Sequence, residues 1–146
     1  MKSPDTKNLD PGNTDMSLLG AGSITLSVPE IAALALGATS RPITGTSWNL
    51  NVTNVPATGL LGVDVYGLAD PGINDLFFLG APGCGLRASL DVTSTYFVTG
   101  ATRTYSLAIP NNPTLSGFNL YSTTAVFQFP AVNALGAITS NGIQGT

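Results

Sequence analysis

Histidine is absent from this chain. That absence removes Ser-His-Asp and Cys-His nucleophilic catalysis, histidine-ligated zinc and the commonest general base. Charge is scarce as well: five basic and eight acidic residues make up 9% of the chain, against roughly a quarter in an average soluble domain. The basic residues form no cluster or stripe that would neutralise a phosphate backbone, so nucleic acid is not expected as a partner. No apolar run approaches the roughly 20 residues of a membrane span, and the longest, residues 31–36, is far shorter. Cys84 is the only cysteine, which excludes an intramolecular disulfide and a cysteine-built metal cage. No cofactor is expected.

What is present is apolar. Hydrophobic residues make up 43% of 146, enough to build the core of one domain and to exclude charge-driven disorder for most of the chain. With so few charges, exposed positions must fall to Thr, Ser, Asn, Gly and Pro, and such a surface repels its own copies weakly.

The chain divides near residue 20. Residues 1–20 are polar and rich in Pro, Gly, Asn and Asp, the composition of an arm or linker. No apolar h-region follows Lys2, so an exported form is expected to have lost its leader already. From about residue 21 to 146 the pattern becomes period-two alternation, the mark of half-buried strands. Ile24, Leu26 and Val28 alternate with Ser and Thr. Trp48, Leu50 and Val52 follow the same rule, as do Leu61, Val63 and Val65, then Leu86, Ala88, Leu90 and Val92, then Tyr105, Leu107 and Ile109. Residues 118–127 are apolar or Thr-rich on both faces, as in a central strand. Residues 75–79, 94–98 and 136–140 are shorter candidates.

Turn signals punctuate these runs: Asn54-Val55-Pro56, Asp70-Pro71-Gly72, Ala81-Pro82-Gly83 and Asn141-Gly142 among them. About eight or nine short strands so spaced predict an all-β, antiparallel sandwich of immunoglobulin-like or jelly-roll type. One segment departs from the pattern. Pro29 to Gly37 has Pro near its start, Gly at its end and Ala and Leu between, which predicts a short helix near residues 30–36.

The chain's ordered motifs are Phe78-Leu79-Gly80-Ala81-Pro82-Gly83-Cys84, Ile109-Pro110-Asn111-Asn112-Pro113-Thr114-Leu115-Ser116-Gly117, Asn133-Ala134-Leu135-Gly136 and Thr139-Ser140-Asn141-Gly142. In this succession, over about residues 42–142, the chain resembles a C-terminal β-sandwich domain of secreted planctomycete-type bacterial proteins. The resemblance implies an extracellular or cell-surface sandwich and no particular activity. Members of that family often carry an upstream cysteine able to pair with the one in Pro-Gly-Cys. Residues 19–23 here hold none, and Pro29 to Gly37 looks like an insertion.

Candidate chemistry is sparse. Glu30, Asp64, Asp70, Asp75 and Asp91 are the carboxylates beyond the arm. Asp64 and Asp91 alternate with apolar neighbours and are expected to face outward, while Asp70 and Asp75 flank a turn, so no catalytic pair is expected. Asp70, Asn74 and Asp75 place three oxygen donors in one loop and are weak calcium candidates without EF-hand spacing; a plain turn explains the same residues. Cys84 is read as a buried, inert thiol, with an intermolecular disulfide as the functional alternative. Trp48 shares a face with Leu50 and Val52 and is read as core. Tyr66, Tyr96 and Tyr121 fall on the other faces and are candidate exposed aromatics for glycan contact. The sequon Asn51-Val52-Thr53 carries little weight in a bacterial-looking chain.

The strands around residues 46–53 and 101–109 lack the charges that ordinarily protect sheet edges; Arg103 is the only charge in either. The expectation is a non-catalytic extracellular structural or adhesive module. Its partners would be copies of itself, met through the arm and these edges, or cell-surface and matrix components. The alternative is a glycan-binding accessory module.

Overall fold

The computed structural model describes residues 32–146. Among them, eight strands form two antiparallel sheets, a β-sandwich. β1 (Ala35–Ala38), β2 (Ser47–Thr53) and β5 (Arg103–Ala108) make the smaller sheet in the order β1-β2-β5. β3 (Gly59–Gly67), β4 (Val92–Phe97), β6 (Leu120–Gln128) and β7 (Ala137–Thr139) make the larger, ordered β4-β3-β6-β7, with β8 (Ile143–Gly145) also paired to β6.

Alternation decides which side chains meet between the sheets. From the smaller sheet come Leu36, Trp48, Leu50, Val52 and Ile109; from the larger, Tyr66 and Val126. Trp48, Leu50, Val52 and Val126 are almost wholly excluded from solvent. β6 lies between β3 on one side and β7 and β8 on the other, as its two-faced composition predicts.

The helix expected near residues 30–36 is not formed over its described part. Ala32 to Leu34 carry no regular structure and Ala35–Ala38 are β1. Leu34 and Leu36 both sink into the core, a period-two placement that outweighs the helix propensity of Ala and Leu. Residues 29–31 lie outside the described residues, as do the 1–20 arm and the strand expected at residues 24–28. The strands expected at 75–79 and 86–92 are also replaced. Residues 68–91 form one long excursion from β3 to β4, with a 3₁₀ turn at Phe77–Leu79 and single bridges Ile73 to Leu86 and Leu76 to Ala81. Leu76, Ala81 and Cys84 close on a small core of their own rather than on a ladder, while Phe77, Phe78, Leu79 and Leu90 stay exposed.

Two asparagine side chains seal one side of the sandwich. β1 is an edge strand, and Leu36 turns its backbone groups away from β2. Asn141 meets both: its Oδ1 accepts from Leu36 N at 2.8 Å and its Nδ2 donates to Leu36 O at 2.9 Å. Asn133 treats the outer edge of β7 in the same way, Oδ1 accepting from Ala137 N at 3.1 Å and Nδ2 donating to Ala137 O at 2.6 Å. Each amide stands in for one peptide unit of a missing strand. Asn141→Ala is therefore expected to cost about 1–3 kcal/mol, the penalty of leaving part-buried backbone groups unsatisfied. Urea denaturation reads the loss, and faster hydrogen exchange at the Leu36 amide locates it.

Candidate functional site

Among the described residues, the largest concentration of polar chemistry lies between the sheets. Asp64 on β3 and Arg103 on β5 both point inward, and Arg103 Nη1 donates to Asp64 Oδ2 at 2.6 Å. Thr124 Oγ1, on the neighbouring β6, donates to Asp64 Oδ1 at 2.9 Å. The Thr124 hydroxyl also lies 3.3 Å from Tyr96 Oη on β4. The guanidinium carbon of Arg103 sits 3.6 Å from the centre of the Tyr96 ring and 4.6 Å from that of Tyr105. Four strands from two sheets thus converge on one ion pair. Gly62 opposes Tyr96 in the ladder, and a Cβ there would collide with the tyrosine ring, so the stack needs glycine at that point.

Burial dominates the electrostatics. It lifts the Asp64 carboxyl above its ordinary 3.8, more than the Arg103 bond, the Thr124 bond and the Arg103 charge pull it down. Burial likewise raises the Tyr66, Tyr96 and Tyr105 hydroxyls. The Asp64 side chain is 1% exposed and that of Arg103 26%. The ring faces and hydroxyls around them leave no second carboxylate for acid–base work beside Asp64 among the described residues. The cluster therefore acts as a bolt through the sandwich.

These positions correct three expectations. Asp64 does not face solvent; it is the most buried acid described. Tyr66 is core, edge-on to Tyr105 at 6.0 Å between ring centres. Tyr96 is half-buried beneath Arg103. The cause lies in β3. Its apolar residues Leu61, Val63 and Val65 face the outer side of the larger sheet, while Gly62, Asp64 and Tyr66 face the interior. Alternation marks two faces but does not say which is inside. The excursion covers part of that outer face, Gly85 N donating to Thr139 Oγ1 at 2.9 Å, so apolar residues there are sheltered too.

Tyr121 lies elsewhere, on the outer face of β6. It lines a surface cleft of about 360 Å³ with Asp70, Arg87, Ile143 and Gln144. Arg87 and Asp70 approach to 3.5 Å, with side chains 40% and 33% exposed, a pair of small energetic weight. Comparison of the chain with protein-family models, with curated protein sequences and with solved structures gave no match. The site's chemistry therefore stands on its own geometry.

The three calcium candidates do not converge. Asp70 Oδ1 accepts from Gly72 N at 2.8 Å, a local turn, while Asp75 Oδ1 accepts from Phe77 N at 3.0 Å and Gly83 N at 3.1 Å. Among the described residues no three His, Cys, Asp or Glu side chains stand together as a metal would need. Asp91, exposed, is held below the usual carboxylate range by the Ser89 hydroxyl and the Leu68 amide. Glu30 lies outside the described residues.

Cys84 is buried in the small second core, with Sγ 3.6 Å from Ala137 O. Its thiol is expected to resist an aromatic disulfide reagent in the folded protein and to react fully in denaturant. Rapid stoichiometric labelling without denaturant would contradict that placement.

On the side opposite the asparagines, β4 and β5 are the sheet edges among the described residues. Ile109 N donates to Thr46 O and Gly45 N to Ile109 O, so the odd-numbered residues of β5 bond to β2. The backbone groups of Thr104, Ser106 and Ala108 point away from the ladder. On β4, Val98 N donates to Leu60 O, which turns Thr93, Thr95 and Phe97 outward in the same sense. Neither edge presents a charge, because Arg103 points inward to Asp64. Sequence reasoning found the poverty of charge but not the two asparagine seals. Their only signal was the ordinary turn motif in which each sits.

Proposed function

We propose that the chain is a non-catalytic structural or adhesive module of the extracellular surface, associating with its own copies through the open side of the sandwich and through its N-terminal segment. The observation that carries this is the contrast between the two sides: asparagine amides satisfy the outward backbone groups of Leu36 on β1 and Ala137 on β7, while β4 and β5 keep uncharged edges with outward backbone groups. Natural sheets ordinarily guard such edges with charge, proline or a bulge. The charge-poor composition and the motif resemblance support an exported location. Sedimentation velocity of the full chain and of a chain lacking residues 1–20 tests the proposal. Concentration-dependent association, weakened by the deletion, is the expected result; a monomer before and after would end it.

A second reading, glycan binding, is favoured by the Tyr121 cleft, where one half-buried ring adjoins a carboxylate, a guanidinium and an amide, groups suited to sugar hydroxyls. Titration calorimetry of ligands found on a glycan array, repeated with Tyr121→Ala, tests it. Absence of binding across the array retires that reading.

A further inference from the structure

We infer that the second copy docks on β4, strand against strand about a two-fold axis at Thr95, so that the two larger sheets become one. This rests on the self-association reading and narrows it to one edge, one register and one face.

β4 is the more accessible of the two open edges. Five of its six residues are exposed, Val92 to Ser94 and Thr95 and Phe97 among them, and none is charged. Only its even-numbered residues are committed to β3, so Thr93, Thr95 and Phe97 offer N–H and C=O groups outward that have no backbone partner among the described residues. An antiparallel edge is complementary to itself. Under a two-fold axis the N–H of each outward residue meets the C=O of its opposite and the reverse, with no second type of surface required. The axis at Thr95 sets Thr95 against itself and Thr93 against Phe97, which keeps outward groups facing outward groups throughout.

The outer face adds the apolar part. Phe97 is 81% exposed at the very edge, and it stands in register with Leu61 and then Phe127 across β4, β3 and β6. This row runs to the edge and stops there. Joining two copies at β4 brings each Phe97 over Thr93 of its opposite, so that each row runs on across the seam onto Thr93 and then Val65 of the other copy. An uncharged strand meets no like-charge repulsion from its twin, which is what fits a second copy better than a charged partner. β5 is less suited, since its edge side chains are Thr104, Ser106 and Ala108, with no large apolar residue to bury.

The test uses the full chain and single substitutions. Thr95→Pro removes one outward donor while leaving the β3 ladder intact, since Thr95 does not donate to β3. Thr95→Lys places two like charges at the axis. Each is expected to weaken association at least about tenfold by sedimentation equilibrium, while Ser106→Lys on β5 leaves it unchanged and all three keep the parent's circular dichroism. Thr95→Cys is expected to form a disulfide-linked dimer on mild oxidation, because facing residues in such a pair lie about 5.5 Å apart, within disulfide reach. The parent chain, with Cys84 buried, serves as the control. If the chain associates but the Thr95 variants do so equally, or if Ser106→Lys alone disrupts it, the β4 docking is wrong and the self-association reading survives. If the parent is monomeric at every concentration, both fall.

Discussion

Arg103→Met is expected to lower the free energy of unfolding by about 3–5 kcal/mol at neutral pH, with most of the loss recovered on acidification. The substitution keeps much of the side chain's volume but leaves the Asp64 carboxylate buried without its cation. Even in the parent, burial holds the Asp64 carboxyl above 3.8. Taking away Arg103 removes its hydrogen bond, the largest of the lowering influences, and its charge, a smaller one, so the carboxyl rises further. A carboxyl that binds its proton more tightly in the folded state contributes stability that is greatest below the unfolded value of 3.8 and falls as pH rises through the folded value. The variant should therefore gain on its parent as pH falls from 7 toward about 4. Asp64→Asn in the same chain should restore much of the loss at neutral pH by removing the charge altogether. Urea denaturation of the single and double variants at both pH values decides the matter. An equal loss at both, unrelieved by Asp64→Asn, would instead assign the cost to packing of the Arg103 stem against Tyr96 and Tyr105.

Trp48→Ala should cost a similar amount, about 3–5 kcal/mol, through the cavity left at the centre of the smaller sheet. Trp48 is 1% exposed and packs among the core of both sheets. Trp48→Phe should cost well under that. The indole Nε1 is buried without a hydrogen-bond partner among the described residues, so phenylalanine gives up ring volume but also an unsatisfied donor. Thermal unfolding followed by far-ultraviolet circular dichroism compares the two, since Trp48 is the chain's only tryptophan and its fluorescence is lost with it. Equal losses for Ala and Phe would mean that the indole nitrogen finds a partner after all.

The all-β sandwich was legible because short alternating runs with Pro and Gly between them have few other solutions. β2, β5 and β6 stand where their alternation puts them. Two kinds of information were not legible. One is which face of a strand is inside: Leu61, Val63 and Val65 read as core by hydropathy, yet the neighbouring β6 presents Ser122, Thr124 and Val126 inward to meet Tyr66, Asp64 and Gly62. A polar residue can face the interior when a partner from another sheet satisfies it, and Arg103, lying 39 residues further along, is invisible to any local window. The parity of Tyr105, Leu107 and Ile109 did place Arg103 inward, and an inward arginine demands an anion; that was the available signal. The other is tertiary override of local propensity. Ala35 and Leu36 prefer a helix in isolation and join a sheet here because Leu36 has a core to enter and an amide at Asn141 to hold its backbone.

The asparagine seals also bear on how far any assembly of this chain can grow. A sheet with two receptive margins can lengthen without limit, which is the geometry of fibres. Where Leu36 and Ala137 have already committed their backbone groups to Asn141 and Asn133, β1 and β7 offer a neighbour less than β4 does. Pairing of two copies at β4 uses up that margin of the larger sheet in both. Strand addition at β4 alone therefore stops at a pair of copies; an extended filament or lattice would demand a further contact, at β5 or outside the two sheets.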